Sequence, residues 1–240
     1  DARALPLEDE KADFVFMDPP YGTHIDYSDD PACIGKLSAF DEAYFEAMRG
    51  AFAEADRVLR DRRYLAVYVS DSFVPQVAVI PLGEDGALPD PADAFVLSIS
   101  GDLEYGEGFN ANGIVAAPAG LVLVHSGQGQ LYRVDPETGV SSLIDTGDAD
   151  LTAGDGLELV DQTVYVMRNR MGEIVAVELD SDLTTGTVTG TATSDDFAVP
   201  TTVAALGDDL WVVNARFGID VTPDTSYWMS RVDAPAPTDS

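Results

Sequence analysis

Asp18-Pro19-Pro20-Tyr21 is the sharpest chemical string in the chain. A carboxylate and a peptide carbonyl, held by two prolines with fixed φ, set two acceptors before one point. An exocyclic amino group, such as adenine N6 or cytosine N4, presents donors to such a pair. Accepting those hydrogen bonds raises electron density on the nitrogen as it attacks an electrophilic methyl group. The Tyr21 ring is placed to stack on a base flipped out of its helix. A second constellation lies further along. Asn112-Gly113 and Asp155-Gly156 recur at one phase of successive repeats, and Asn169 and Asn214 each end a strand downstream. Oxygen ligands converging from successive repeats suit a hard cation such as calcium, which can polarise a carbonyl or activate water. Read for backbone chemistry alone, the same strings serve as a Pro-Pro turn and as Asx-Gly turns.

The elements that position the first string read β–loop–α–β. Asp13–Met17 is a short apolar run that must stop where the two prolines forbid further ladder bonds. Phe40, Tyr44, Met48, Phe52, Ala55 and Leu59 recur at helical spacing behind Ser38 and Asp41 as capping residues, and Arg60, Arg62 and Arg63 stand where a helix end favours cations. Tyr64–Ser70 then reads as a second buried strand. Strand, crossover helix and strand make a right-handed parallel unit, whose ligands bind beyond the carboxyl ends of the strands, where Asp18 lies.

The second half has a different rhythm. Segments opening at Asn112, Asp155 and Thr201 lie 43 and 46 residues apart. Each continues with a strand (Leu121–Val124, Thr163–Met167, Leu210–Val213) and then another ending near Asp135, Leu179 or Asp233. That interval is the spacing of a β-propeller blade, with tandem hairpins of a sandwich as the alternative.

Composition divides at the same place. The whole chain has 240 residues and a net charge of −30. Residues 1–73 carry 8 basic and 16 acidic residues, hence −8, whereas residues 74–240 carry no lysine, 5 arginines and 27 acidic residues, hence −22. The fold expected is therefore mixed: an α/β segment, 1–73, joined to an all-β partial propeller of three to four blades, 74–240. A net charge of this sign opposes phosphate-backbone binding by the chain as a whole. The lone Cys33 excludes an internal disulfide framework. No apolar run has the length of a membrane-spanning helix. His24 and His125 stand apart from any Ser or Cys nucleophile pattern, and His125 reads as a satisfied polar residue at a strand end.

Phe14–Tyr21, His24–Asp30, Gly35-Lys36-Leu37, Arg57-Val58-Leu59 and Tyr68–Asp71 resemble the AdoMet-dependent DNA amino-methyltransferases. The resemblance covers residues 1–73. It implies a Rossmann-like fold, methyl transfer to adenine N6 or cytosine N4, and a cytoplasmic location. It also implies that Asp18 and Pro19 bind the target amino group, with Pro20 completing the catalytic motif, that Tyr21 stacks on the base, and that Asp1 contacts the adenine of AdoMet. DNA is then the partner. The family's Gly-rich AdoMet turn has no counterpart in the chain, so AdoMet binding and catalysis by this segment alone are not expected.

Residues 74–240 resemble the gluconolactonase, regucalcin and senescence-marker family of six-bladed propellers. That resemblance implies a calcium or other divalent ion held by Asn112 and Asp155, with Asn169 and Asn214 as lesser contributors, and a lactone or ester substrate. Six blades at this spacing need about 260 residues, against the 167 of residues 74–240. The expectation is an incomplete ligand set and an open sheet edge free to self-associate. The chain as a whole reads as two truncated domains joined, inactive as it stands.

Overall fold

In the computed structural model, residues 3–17, 33–37, 42–67, 74–79, 93–220, 222 and 225–235 are described, with only the backbone described for 12–17 and 60–67. Two compact units emerge, residues 1–70 with 84–87 and residues 71–83 with 88–240. Among the described residues the chain is mostly β, with a single α-helix.

In the first unit, β1 (Ala12–Met17) is followed by a 3-10 turn at Ile34–Lys36, then α1 (Glu42–Val58) and β2 (Leu59–Val67). β1 and β2 pair in parallel, with Phe14 opposite Tyr64 and Met17 opposite Val67. Helix α1 buries Ala47, Met48, Ala51, Ala55 and Val58, an i, i+3/i+4 stripe rotated from the aromatic one the sequence suggests. Phe45 is left 46% exposed. The helix passes directly into β2, so Arg60, Arg62 and Arg63 lie on the strand, and Arg57 is the cation of the last helical turn. Its guanidinium bonds Glu54 at Nη2, Asp9 at Nη1 and the Leu5 carbonyl, tying residues 5–9 to the helix. The Arg57 guanidinium holds the Glu54 carboxyl down at about 2.

The expected β–loop–α–β order is present, but the Rossmann-like sheet is not. Among the described residues β1 and β2 form a two-stranded sheet with no further strand added. Residues 1–73 contain no additional apolar runs from which a wider parallel sheet could be built.

The second unit opens with β3 (Gln76–Val79) paired antiparallel to β4 (Phe95–Ser98), followed by the short β5 (Ser100–Gly101). Three up-and-down sheets follow in chain order. The first contains β6 (Ala111–Ala117), β7 (Gly120–His125), β8 (Gln130–Val134) and β9 (Val140–Ile144), with β5 added in parallel to the outside of β9. The second contains β10 (Gly154–Val160), β11 (Thr163–Arg168), β12 (Glu173–Leu179) and β13 (Gly186–Thr193). The third has three strands, β14 (Pro200–Leu206), β15 (Asp209–Asn214) and β16 (Met229–Asp233).

The first strands of these sheets neighbour one another, β6 against β10 and β10 against β14. Consecutive antiparallel meanders whose first strands adjoin are the blades of a partial β-propeller. Side chains alternate with period two, and the inner strands β7, β11 and β12 are buried on both faces. Val122 and Val124 join a core shared with Val164, Val166 and Leu157 of the next blade, while Leu123 faces a second core with Tyr132 and Ile99. Met167 and Ile174 likewise meet Val203, Leu210 and Val212 of the third blade.

Several aspartates of this unit close turns. Asp135 accepts the amides of Glu137 and Thr138 at 2.9 Å each. Asp180 accepts the Thr184 amide at 2.7 Å together with the hydroxyls of Thr184 and Thr185, which keeps its carboxyl at about 2. These turns lie at one end of the blades. Asn112 and Asp155 lie near the other.

Candidate functional site

Register identifies which residues of the three blades correspond. Ala111 pairs with His125, Gly154 with Arg168 and Pro200 with Asn214. The next amide in each blade donates back across the strand end: Ser126 to Asn110 O, Asn169 to Ala153 O and Ala215 to Val199 O, at 2.9, 3.0 and 3.1 Å. Asn112, Asp155 and Thr201 are therefore equivalent, as the 43- and 46-residue intervals imply. In each first strand the pairing slips immediately after this point, between Ala111 and Ile114, Gly154 and Leu157, and Pro200 and Thr202. A bulge repeated at one position re-aims the side chains it carries.

Asn112-Gly113 and Asp155-Gly156 consequently sit inside strands β6 and β10, and the Asx-Gly turn reading does not hold. Their glycines answer a different need. A Cβ on Gly113 would strike the Asp155 carbonyl, with Leu157 N at 2.9 Å, and one on Gly156 would meet Thr202 Cα at 2.7 Å. Each glycine lets the first strand of the following blade approach.

That approach gathers four side chains. Asn169 Nδ2 donates to Asp155 Oδ2 at 2.9 Å, and Asn112 Nδ2 donates to Ser126 Oγ at 3.2 Å. The Ser126 hydroxyl in turn donates to the Gly154 carbonyl. Burial pushes the Asp155 carboxyl up from the ordinary carboxylate range, opposed by hydrogen bonds from the Asn169 and Asn112 amides. Among the described residues no arginine or lysine contributes to that balance. The result is a desolvated carboxylate surrounded by neutral oxygen- and amide-bearing groups.

Asn214 does not belong to this group. Its register partner makes it the equivalent of Arg168 and His125, one residue short of Asn169, and a one-residue step turns a side chain to the other face. Fully buried, it accepts the Ala198 amide at 2.8 Å and donates to Ser230 Oγ at 2.8 Å, fastening β15 to the chain entering β14. Arg168 does the corresponding work in the second blade, bonding Thr152 O, Asp150 and Glu173 at 2.9, 2.7 and 2.7 Å. It borders a cleft of about 660 Å³ whose lining includes Thr146, Thr187 and Thr191 but not Asp155. His125 is satisfied on one side only: Nδ1 accepts the Gln128 amide at 3.1 Å, while Nε2 is buried without a hydrogen bond among the described residues.

Ser126 is the member of the cluster that sequence reasoning missed. It carries no recurrent motif, and only the register aligns it with Asn169. Asp1 and Asp18, Pro19, Pro20 and Tyr21 lie outside the described residues, as do Ser38 and Asp41. No helix among the described residues is long and apolar enough to cross a membrane.

No protein-family model and no curated protein matches the chain. Among solved structures, the chain is similar to a Bacteroides uniformis protein carried under the provisional name 6-phosphogluconolactonase. The TM-score is 0.42 at 15% identity, over 72% of this chain and 57% of that one. A structural-genomics protein from Lactobacillus plantarum gives 0.40 at 15% identity, over 66% and 51%. The chain thus spans little more than half the length of either structure. Neither likeness extends support to a methyltransferase segment in residues 1–73.

Proposed function

We propose that the blades of residues 93–235 form a ligand-binding propeller segment of lactonase-like type. In this reading the Asp155, Asn112, Asn169 and Ser126 cluster holds a divalent cation and receives an uncharged lactone or ester. The observation that carries the reading is the half-buried Asp155 carboxylate, held by Asn169 Nδ2 at 2.9 Å and compensated by no cationic side chain among the described residues. The donor set fits a hard ion: one carboxylate, two amides that each own a carbonyl oxygen, and a hydroxyl are all-oxygen ligands of the kind calcium accepts. Among the described residues no three His, Cys, Asp or Glu side chains gather to hold a metal, so Asp155 is the cluster's one charged ligand. A cation bound there supplies polarisation of a substrate carbonyl. Asp155 supplies the charge that attracts the ion, Asn169 orients the carboxylate from its own blade, and Ser126 fixes Asn112 against the Gly154 carbonyl. Ring opening of γ-butyrolactone, followed by acid release at constant pH with calcium or with EDTA, tests the proposal. A calcium-dependent rate that Asp155→Ala removes is expected. Equal rates in calcium and EDTA would refute it.

A second reading, methyl transfer to a base amino group, rests on Asp18–Tyr21. One observation favours it: the parallel pairing of β1 and β2 ends both strands at the same sheet edge, directly before residue 18 and residue 68. Calorimetric titration with AdoMet tests it, and an absence of heat would remove it for this chain.

A further inference from the structure

Each blade turns one face forward to the next blade and one back to the blade before it. One residue before the equivalent His125, Arg168 and Asn214 stand Val124, Met167 and Val213, whose cross-strand neighbours are Leu131, Ile174 and Met229. Val124 and Leu131 are fully buried in a core with Val164 and Val166 of the second blade, and Met167 and Ile174 in one with Leu210 and Val212 of the third. Val213 and Met229 occupy the same positions in the third blade, yet they are 40 and 54% exposed. The forward face of the third blade thus repeats two interfaces that are closed elsewhere in the chain, and among the described residues no blade covers it.

Strand pairing makes this one continuous surface. Val213 lies between Thr202 and Met229, Trp211, two residues back, lies between Ala204 and Arg231, and Leu206 adds an apolar side chain opposite Asp209. Residues 74–240 carry a net charge of −22, but the centre of this face has no carboxylate. Asp209, Arg231 and Asp233 gather at one end of it, where Arg231 Nε donates to Asp209 at 2.9 Å.

The other end of the blade series exposes a matching surface. Val77 packs behind the first blade with Leu121 and Leu123, so β3 and β4 lie against that blade's back face. One residue on, the Ala78–Val96 pair turns away from that core, with Val96 56% exposed. Neither β3 nor β4 contains a charged residue. An acidic chain can approach another copy only where both surfaces lack net negative charge, and these two do.

We infer that two copies of the chain join head to tail and close one propeller ring, the third blade of each meeting the β3–β4 pair of the other. Both interfaces inside the chain run forward face to back face, and this contact continues them. Propellers close with about four to eight blades. Three blades and one strand pair make about half of such a ring, and a heterologous contact closes when the rotation between copies completes the circle. The inference rests on neither Asp155 nor its amide partners, so it stands or falls apart from the cation reading.

Sedimentation velocity over a range of concentrations tests it on the full chain, on Val213→Asp/Met229→Asp, and on Phe109→Asp, an exposed apolar position outside both faces. The expected result is the mass of two chains in the parent and in Phe109→Asp, and self-association weaker by about a hundred-fold or more in the double variant. Far-UV spectra and melting curves verify that each variant is folded. The direction of the contact is read without buried charges. In Cys33→Ser chains, which lack the native thiol, Met229→Cys is mixed with affinity-tagged Val96→Cys and oxidised. A mixed disulfide between positions 96 and 229 is expected, whereas Met229→Cys alone should not cross-link. A parent that sediments as one chain at every concentration would overturn the inference and leave the face to a further blade or another protein. Assemblies larger than two, a folded double variant that still pairs, or cross-linking of Met229→Cys to itself would overturn it as well.

Discussion

Asn169 reaches back across its own blade to hold the Asp155 carboxylate at 2.9 Å, while Asn112, from the preceding blade, donates its amide to Ser126 Oγ at 3.2 Å. Asp155 is thus held by a residue of its own sheet, and the neighbouring sheet contributes only uncharged groups beside it. Charged groups are seldom placed in such surroundings without a partner, because burial costs free energy that neutral amides offset only in part.

A consequence for stability follows from the direction of that shift. A carboxyl raised above its unfolded value favours folding only while protonated. The benefit is complete below the ordinary Asp value and disappears as pH rises through the raised one, leaving a cost at neutral pH. Asp155→Asn is therefore expected to melt higher than the parent at pH 7 without added cation, and the difference should close as pH falls to 3. Scanning calorimetry at pH 3, 5 and 7 checks this. A variant that melts lower at pH 7 would show the carboxylate to be stabilising.

The glycines beside the site make a second, independent prediction. Gly113→Ala should destabilise by about 1–3 kcal/mol, because the new Cβ is driven into the backbone of β10 and the blades must separate. Gly106→Ala is the control: nothing lies within 4 Å of its Cβ position, and its stability should stay within about 0.5 kcal/mol of the parent. Urea unfolding midpoints distinguish the two. Equal midpoints would mean that β6 and β10 do not approach as described.

Blade topology was legible in the sequence because it is written in local terms: short apolar strands, an Asn-Gly or Asp-Gly step at one phase and a repeat of 43 and 46 residues. The strand expected at Thr163–Met167 and the strand ends expected near Leu179 and Asp233 lie within a residue of those observed. Within the cluster, Asn112 and Asp155 were visible because each repeats before a glycine. Ser126 was not, since its role comes from cross-strand register, which periodicity does not encode. The equivalence of Asn169 and Asn214 failed for the same reason. Both end a strand, but one faces Asp155 and the other the β14 entrance. In the first unit, the sequence announced a strand, a helix and a strand correctly yet implied a wider sheet than two strands provide.

His125 sets a pH response of its own. Burial holds its imidazole below the ordinary histidine value, so the folded state resists protonation. Stability is retained above about pH 6.5 and falls as the solution is acidified through the window below it. His125→Asn, which keeps an acceptor for the Gln128 amide, should flatten the dependence of melting temperature between pH 6.5 and 5. An unchanged slope would assign that dependence to other groups.

The most direct measurement is calorimetric titration of calcium into the full 240-residue chain, its Asp155→Ala variant and its Asn214→Ser variant. The account predicts saturable binding at one site with a dissociation constant on the order of 10⁻⁴–10⁻³ M, in keeping with a single carboxylate. It further predicts loss of that binding in Asp155→Ala and its retention in Asn214→Ser. No saturable heat in the parent, or the same isotherm in Asp155→Ala, would contradict it.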